Sequence, residues 1–524
     1  MKRSISTFGL ILTSISAIIG SGWLFSAYYT STIAGPAASL SWIIGGIFVL
    51  CVAFVFAEIC GMLPVTGSSA RIPQYTHGTV VSFMFSWMIW LSYLSLMATE
   101  VQAVLQYASF YLPGLVQSSG GLTHHGYAAA AVLMLLVTFI NTYSIHWLIR
   151  CNSVLTLIKL AIPIVIISVI LAHFFSPMQI LHPNHSAFMP TGIEGVLGAI
   201  STGGIIFAFN GFKQAAEMAG DAKNPGRSVP MAIIGSVLIC LVLFLLIQFA
   251  FLSSLSGVDL SQGWTHIHLS DDNSPLASII QQDHFDWLLP LLYFGAIIAP
   301  LAAGLMYCSS AARSLYGMSK NGYLPKFFQK ISPQGNPRNA IFVNFVLGLC
   351  LFAPLPGWNN MVAFLTSLLA ITYAVGPICL LSLRSQAPTQ SRPFKLPMVR
   401  LWAFVSFYIC TLLAYWSGWA ILSKMGIAIV VGFILLLIFR CATHRSISLN
   451  FRESLWVWPY FIGLMLLSYV GDYGGIHLFA FSTNMILLAI FCLIILVIAT
   501  HFKLPAATTQ KYIEDLHLER DETV

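Results

Sequence analysis

The chain reads as an all-α membrane protein of about 14 transmembrane helices, and three observations predict that class. Of its 524 residues, 58% are hydrophobic and 8% are charged, against about 25% charged in soluble domains. So few charges could not clothe a water-facing surface of this size, whereas lipid suits it. Apolar runs of spanning length also recur along the whole chain. Finally, the basic residues fall in the short segments between those runs and form no stripe or patch. The net charge of +7 therefore reads as topology rather than as a nucleic-acid footprint.

A spanning helix needs roughly 20 mainly apolar residues. Candidate runs occupy 8–33, 39–62, 80–110, 126–148, 153–175, 194–219, 229–254, 287–313, 340–356, 360–383, 400–421, 424–440, 455–471 and 479–500. Those at 340–356, 424–440 and 455–471 are short. The start, Met1-Lys2-Arg3, could imitate a signal peptide. Its apolar run continues from Phe8 to about Ile33 without a small-residue cleavage site, so it reads as an uncleaved first span.

With the N-terminus in the cytoplasm and a flip at each run, all but two of the 24 lysines and arginines fall on the inner side. The exceptions are Lys159, inside a run, and Lys424, at an outer turn. A miscounted run before residue 400 would scramble this segregation, so it tests count and orientation together. The outer loops then hold Asp259, Asp271, Asp272, Asp283 and Asp286. His124, His125, His173, His182, His185, His266, His268 and His284 join them, either as loop polarity or as a pH-responsive vestibule. Most of the ten cysteines lie inside apolar runs, with no CxxC and no Cys/His metal spacing. They read as small membrane hydrophobes, and no cofactor or metal is expected. Both termini are expected in the cytoplasm, with a short, charged, partly disordered tail after about Pro505.

Two runs carry glycines at matching places. The first contains Gly20-Ser21-Gly22-Trp23 at its middle. The sixth contains Phe209-Asn210-Gly211-Phe212, with Gly203-Gly204 just before it. Small residues alone favour close helix packing. Their position five runs apart is what two five-helix repeats with discontinuous first helices would give. Unwound backbone at membrane depth is tolerable only where it lines a cavity. There, half-helix N-termini offer N–H donors to a carboxylate, and freed carbonyls accept from an ammonium. A zwitterionic amino acid carries both groups. The division that follows is a core over 1–400, with repeats at about 8–175 and 194–383. Accessory helices follow over 401–500, and a tail over 501–524.

The ordered motifs resemble the amino acid–polyamine–organocation (APC) transporters, with their LeuT-like inverted-repeat fold. Ile18-Ile19-Gly20-Ser21-Gly22-Trp23-Leu24-Phe25 is similar to the family's first-helix signature, followed by Ala34-Gly35-Pro36. Ala57-Glu58, Leu63-Pro64 and Thr66-Gly67 resemble the end of its second helix. Phe207-Ala208-Phe209-Asn210-Gly211-Phe212 resembles the sixth-helix break, and Lys223-Asn224-Pro225 with Arg227 and Pro230 the next inner loop. Arg313-Ser314-Leu315-Tyr316 through Asn321-Gly322-Tyr323-Leu324-Pro325 resembles the loop after span eight. The likeness covers roughly 5–400, and the Trp23-Leu24-Phe25 continuation with the extra helices after 420 resembles the bacterial aspartate–proton symporter subgroup. It implies a substrate carboxylate at Gly20, Ser21 and Gly22, with Ile19 beside them in the substrate site. The amino group would lie near Phe207, Ala208, Phe209, Asn210 and Gly211, with Phe207 as a gating aromatic and Tyr307 lining the far wall. Lys213 stands where many relatives carry an acidic residue, so that acid's proton role does not transfer. Lys213 reads instead as an inner-gate cation or one snorkelling to the interface.

The intramembrane charges complete the expectation. A mid-helix lysine costs roughly 2.5–3.5 kcal/mol on insertion scales, so Lys159 should face a cavity or carbonyls. The resemblance implies an ammonium that stands in for a cation beside the unwound first helix and couples protons. Glu100, in the third run, is expected to relay protons or touch substrate. Glu58 and Glu217 suit inner salt bridges, and Glu194 has no assigned role. Without a Walker-type loop, the reading is ion-driven secondary transport of an amino acid with protons through the plasma membrane, not an enzyme. An exchanger, a sensor and a channel are the rival readings.

Overall fold

The computed structural model describes residues 5–521, apart from 66–67, 118, 143–144, 178–186, 258–262, 268, 270, 272, 333–335 and 444–448. Of the residues singled out above, Thr66, Gly67, His182, His185, Asp259, His268 and Asp272 lie outside the described ones.

Helices follow one another in this order: α1 Thr7–Ile18, α2 Gly22–Ala34, α3 Ala38–Met62, α4 Ser68–His77, α5 Thr79–Ala108, α6 His124–Ile140, α7 Ile145–Phe174, α8 Gly192–Thr202, α9 Ile205–Phe209 and α10 Lys213–Glu217. The second half continues with α11 Pro225–Ser253, α12 Pro275–Gln282, α13 Leu289–Lys320, α14 Arg338–Cys350, α15 Trp358–Gln386, α16 Val399–Tyr415, α17 Trp419–Thr443, α18 Val457–Val470, α19 Phe481–His501 and α20 Ala506–Asp521. Each apolar run overlaps a helix or a pair of half-helices, although the run 126–148 extends past the end of α6 at Ile140 into the start of α7. Among the described residues, eight stretches are long and apolar enough to cross a membrane as one piece, and the bent α8–α10 segment makes a ninth. One of the eight, Gly22–Met62, is 41 residues long. At about 1.5 Å per residue it is roughly twice the hydrocarbon thickness. The 3-10 turn Gly35–Ala37 divides it into the expected first and second runs.

The core sits around α5, which is buried along its whole most apolar window, with α15 almost as enclosed at 94%. α13 and α15 pack on α5, α11 packs on α3, and α16 packs on α15. By contrast, α17 is 33% buried and α19 28% buried over the same measure. Leu, Ile and Val side chains such as Ile434, Ile438, Ile490 and Val497 face outward there, as a lipid-facing surface requires.

The tail departs from expectation. Residues from Ala506 form the helix α20, with Thr509, Ile513 and Leu516 buried. Thr509 Oγ1 donates to the Tyr75 carbonyl at 2.8 Å, and Tyr512 stacks on Tyr75 at 5.7 Å between ring centres. Positions 509, 512, 513 and 516 fall on one helical face. The charged composition of the segment masks that short stripe.

Candidate functional site

The first interruption is built from the backbone outward. α1 ends at Ile18, where Ile19 takes φ −84°, ψ 81°, and α2 resumes at Gly22. The break leaves carbonyls at the C-terminal end of α1 and an N–H at the N-terminal end of α2 without helical partners. Side chains supply them. Lys159 Nζ donates to the Ser16 carbonyl at 2.9 Å, and the Tyr307 hydroxyl donates to the Ala17 carbonyl at 2.8 Å. Across the gap, the Ser21 N–H donates to Glu100 Oε2 at 2.8 Å. Trp358 Nε1 donates to Ser21 Oγ at 2.9 Å. The cation thus meets the negative end of one half-helix dipole and the carboxylate meets the positive end of the other. Lys159 and Glu100 are both buried.

Two glycines make room for this. A Cβ on Gly20 would land on the Glu100 carboxylate, and one on Gly22 would press on Ala208 at 3.1–3.2 Å. These positions require a small residue because of close approach, not because of unusual backbone angles.

The second interruption lies earlier than the 209–212 motif suggested. The chain breaks at Gly203-Gly204, with Gly204 left-handed at φ 93°, and the two helical pieces are bent by 43°. Ser26 Oγ reaches the Gly204 carbonyl at 3.4 Å and Thr30 Oγ1 the Gly203 carbonyl at 3.3 Å. The Ala208 N–H then bonds the Gly204 carbonyl at 2.9 Å, so Phe207, Ala208 and Phe209 are helical. Asn210–Phe212 tighten to a 3-10 turn. Gly211 is needed there for proximity: a Cβ would strike the backbone of Ala17 and Ile18.

The expected site residues therefore gather about the α1–α2 junction, with one exception. Ile19 to Gly22, Ala208, Gly211, Tyr307, Lys159 and Glu100 all border it through the contacts above. Asn210 is held by the Tyr373 hydroxyl at 2.9 Å, and Phe207 meets Trp358 edge-on at 5.4 Å. Phe209 turns away and packs against Trp42 and Phe244 at 5.9 and 5.5 Å. Trp358, Tyr373 and Tyr107, whose hydroxyl bonds the Leu24 carbonyl at 3.1 Å, had no sequence signal beyond being aromatics in apolar runs. Trp358 is the centre of an aromatic lid, stacked with Phe25 at 4.8 Å and Tyr29 at 5.5 Å.

Below the junction, Lys213 does not snorkel to water. It is buried, with its ammonium 4.6 Å from the Tyr373 ring centre and 5.6 Å from that of Phe56. Glu58 forms the expected inner ion pair. Arg384 Nε lies 2.7 Å from its Oε1 and Nη2 donates to Oε2 at 2.8 Å, while the Leu396 N–H bonds Oε2 at 2.7 Å. At the end of α12, burial pushes the half-buried Asp283 carboxyl up to about 6, against a hydrogen bond from Ser254 and the charge of His284. His173 meets Phe285 edge-on, with ring centres 4.8 Å apart.

Known proteins share this sequence pattern. The family model described as "Amino acid permease" matches residues 5–435. A glutamate/serine transporter of Bacillus subtilis, AimA, is 32% identical over 98% of this chain and 96% of its own length. The aspartate-proton symporter of the same organism is 31% identical over 97% of this chain and 98% of its own. The human cationic amino acid transporter 4 is 26% identical over 75% of this chain and 61% of its own.

Proposed function

The chain belongs to the amino acid permease family, and from that premise we propose that it carries amino acids across the plasma membrane together with protons, by alternating access. The observation that carries this reading is the first interruption. A buried carboxylate and a buried ammonium cap its two dipolar ends, at the place where a zwitterion needs an N–H donor and a carbonyl acceptor.

In this reading the substrate carboxylate takes the N-terminal end of α2, now held by Glu100. The amino group takes carbonyls freed at the break. Lys159, on α7, holds the end of α1 through the Ser16 carbonyl, and proton exchange at Lys159 and Glu100 biases the outward or inward form. A four-helix bundle rocks or hinges against a scaffold so that access alternates, and both termini lie in the cytoplasm. Two relatives are named for glutamate or aspartate, so acidic amino acids head the substrate screen.

The test is uptake by proteoliposomes under an imposed pH gradient, with an inside-alkaline and a gradient-free arm. Accumulation that follows the gradient and is lost in Lys159→Ala supports proton symport. Counterflow indifferent to pH would move the assignment to an exchanger. No uptake of any amino acid in either arm would remove the transport reading.

A further inference from the structure

We propose that Lys213 sets side-chain selectivity: its ammonium is the floor of the substrate pocket and receives the second carboxylate of an acidic amino acid. The proposal rests on the amino acid transport reading and adds the class of side chain.

Lys213 opens α10 immediately after the 3-10 turn that carries Gly211. Gly211 packs against Ala17 and Ile18 with no space for a Cβ. The Lys213 backbone is therefore two residues from the first interruption. Its side chain lines a small pocket together with Ser92, Tyr93, Asn210, Gln214 and Tyr307. Tyr307 is the same residue that donates to the Ala17 carbonyl at the break. Tyr307 and Gly211 thus border both the pocket and the dipolar break, and the pocket's walls mix hydroxyl and amide groups with the apolar Ile89 and Leu369. The hydroxyl and amide groups can bond a polar side chain.

The charge pattern points the same way. Lys159 and Glu100 are of opposite sign, close enough to act on each other, and sit at opposite ends of the break. Lys213 is the further buried cation of the site. Among the described residues it has no carboxylate within ion-pair distance. Its neighbours are the faces of Tyr373 and Phe56, with Glu217 one turn on acting at longer range. Ring faces hold an ammonium in place but do not replace the charge-assisted bonds of a carboxylate. A neutral zwitterion would leave that cation as it is. An amino acid with a side-chain carboxylate places its negative charge next to Lys213 while its backbone groups occupy the break. The apolar and phenolic sheath excludes water, which strengthens such a pair.

The experiment measures ligand-induced thermal stabilisation of the full chain purified in detergent. Aspartate and glutamate are titrated beside their amides, asparagine and glutamine, on wild type, Lys213→Gln and Lys213→Arg. The expected wild-type preference for acid over amide is about 30-fold or more, the scale of losing one partner of a buried charge pair. Lys213→Gln should bring that ratio to about one by weakening the acids while leaving the amides within about threefold. Lys213→Arg should keep part of it. A wild type that binds amide and acid equally overturns the proposal without reference to any variant. So does a Lys213→Gln protein that loses both ligands alike. If Lys213→Gln does not fold, the ratio is read on Lys213→Arg: a preference for acids kept in part, with a different optimum chain length, upholds a cationic floor, and equal binding of acid and amide overturns it. A wild type that responds to no amino acid fails the transport reading itself, a separate result from binding neutral amino acids only.

Discussion

The interruption at residues 19–21 and the one at 203–204 touch each other, through Gly22 against Ala208 and Ser26 against Gly204. They are held by different chemistry. A lysine, a glutamate, a tyrosine and a tryptophan cap the first. Two long hydroxyl contacts, of 3.3 and 3.4 Å, and a left-handed glycine hold the second. The first is therefore a charged site, and it is the one to which the proposed exchange of substrate and proton is assigned. The second is a geometric bend whose partners are neutral. The sequence motifs make the two look equivalent, and only the identity of their capping groups separates them.

The largest effect should follow from unbalancing the charges at the first break. Lys159→Met leaves the Glu100 carboxylate buried without its opposing charge, a change of about 3–5 kcal/mol for a broken buried pair unless a proton relieves it. Adding Glu100→Gln should restore much of the loss, because no lone charge remains. By contrast, Ser26→Ala and Thr30→Ala at the second break should each cost under about 1 kcal/mol. Thermal midpoints of the four proteins in one detergent decide this. Equal losses at the two breaks would erase the distinction between them.

Next in size are the glycines. Gly211→Ala drives a Cβ into the Ala17 and Ile18 backbone, which cannot rotate away, and should cost about 3 kcal/mol. Gly204→Ala places an alanine at φ 93°, at about 1–2 kcal/mol for the left-handed backbone alone. Gly235→Ala, with nothing within 4 Å of its Cβ, should be silent and controls for helix-wide effects. If Gly204→Ala proves the more damaging of the two, the second break is the tighter site and the ranking inverts.

Much of this was legible in the amino-acid order, for identifiable reasons. Run length and the siting of basic residues report on lipid and topology, which act locally along the chain, so the helices fall where expected. The first break was legible because Gly20 and Gly22 flank it directly. The second was displaced: Asn210-Gly211 looks like a turn, yet Asn210 is helical at φ −52°, and Gly211 is small because α1 passes close by. Gly203-Gly204, which does bend the chain, looks like ordinary packing glycine. Trp358 was illegible because its partners, Ser21, Phe25 and Phe207, are distant in sequence. The buried face of α20 was hidden among charges.

Trp358 also allows the two breaks to be tested against each other. Its Nε1 bonds Ser21 at the first, and its Cη2 is the atom that a Cβ on Gly204 would meet at 2.9 Å at the second. Trp358→Phe keeps a ring in the stack and loses that bond, at about 1 kcal/mol. In the Gly204→Ala background it should cost less than alone, since the shorter ring relieves this contact, while Ser26 Oγ stays at 2.7 Å from the new Cβ. Simple additivity would mean that the tryptophan does not couple the two sites.

The smallest effect on transport concerns pH, and it guards the first comparison against a false positive. His77, at the end of the connecting helix α4, is buried, with Nε2 3.1 Å from the Ala499 carbonyl and the ring 5.7 Å from Trp456. Burial first, and then the charge of Lys503, push its pKa down from 6.5 to about 4, against the Ala499 hydrogen bond. A depressed histidine pKa means that the folded chain holds the proton less well than the unfolded one. Its stabilising contribution is full above about 6.5 and drains as pH falls toward 4. Thermal stability in detergent should thus be level in neutral buffer and decline below about pH 6, and His77→Phe should flatten that decline. Uptake near neutral pH should be unchanged by His77→Phe, because the proton response assigned to the first break does not involve it. If the variant instead removes the pH dependence of uptake, acid acts by loosening the contact between α4 and α19, and the charged break is not where protons are read.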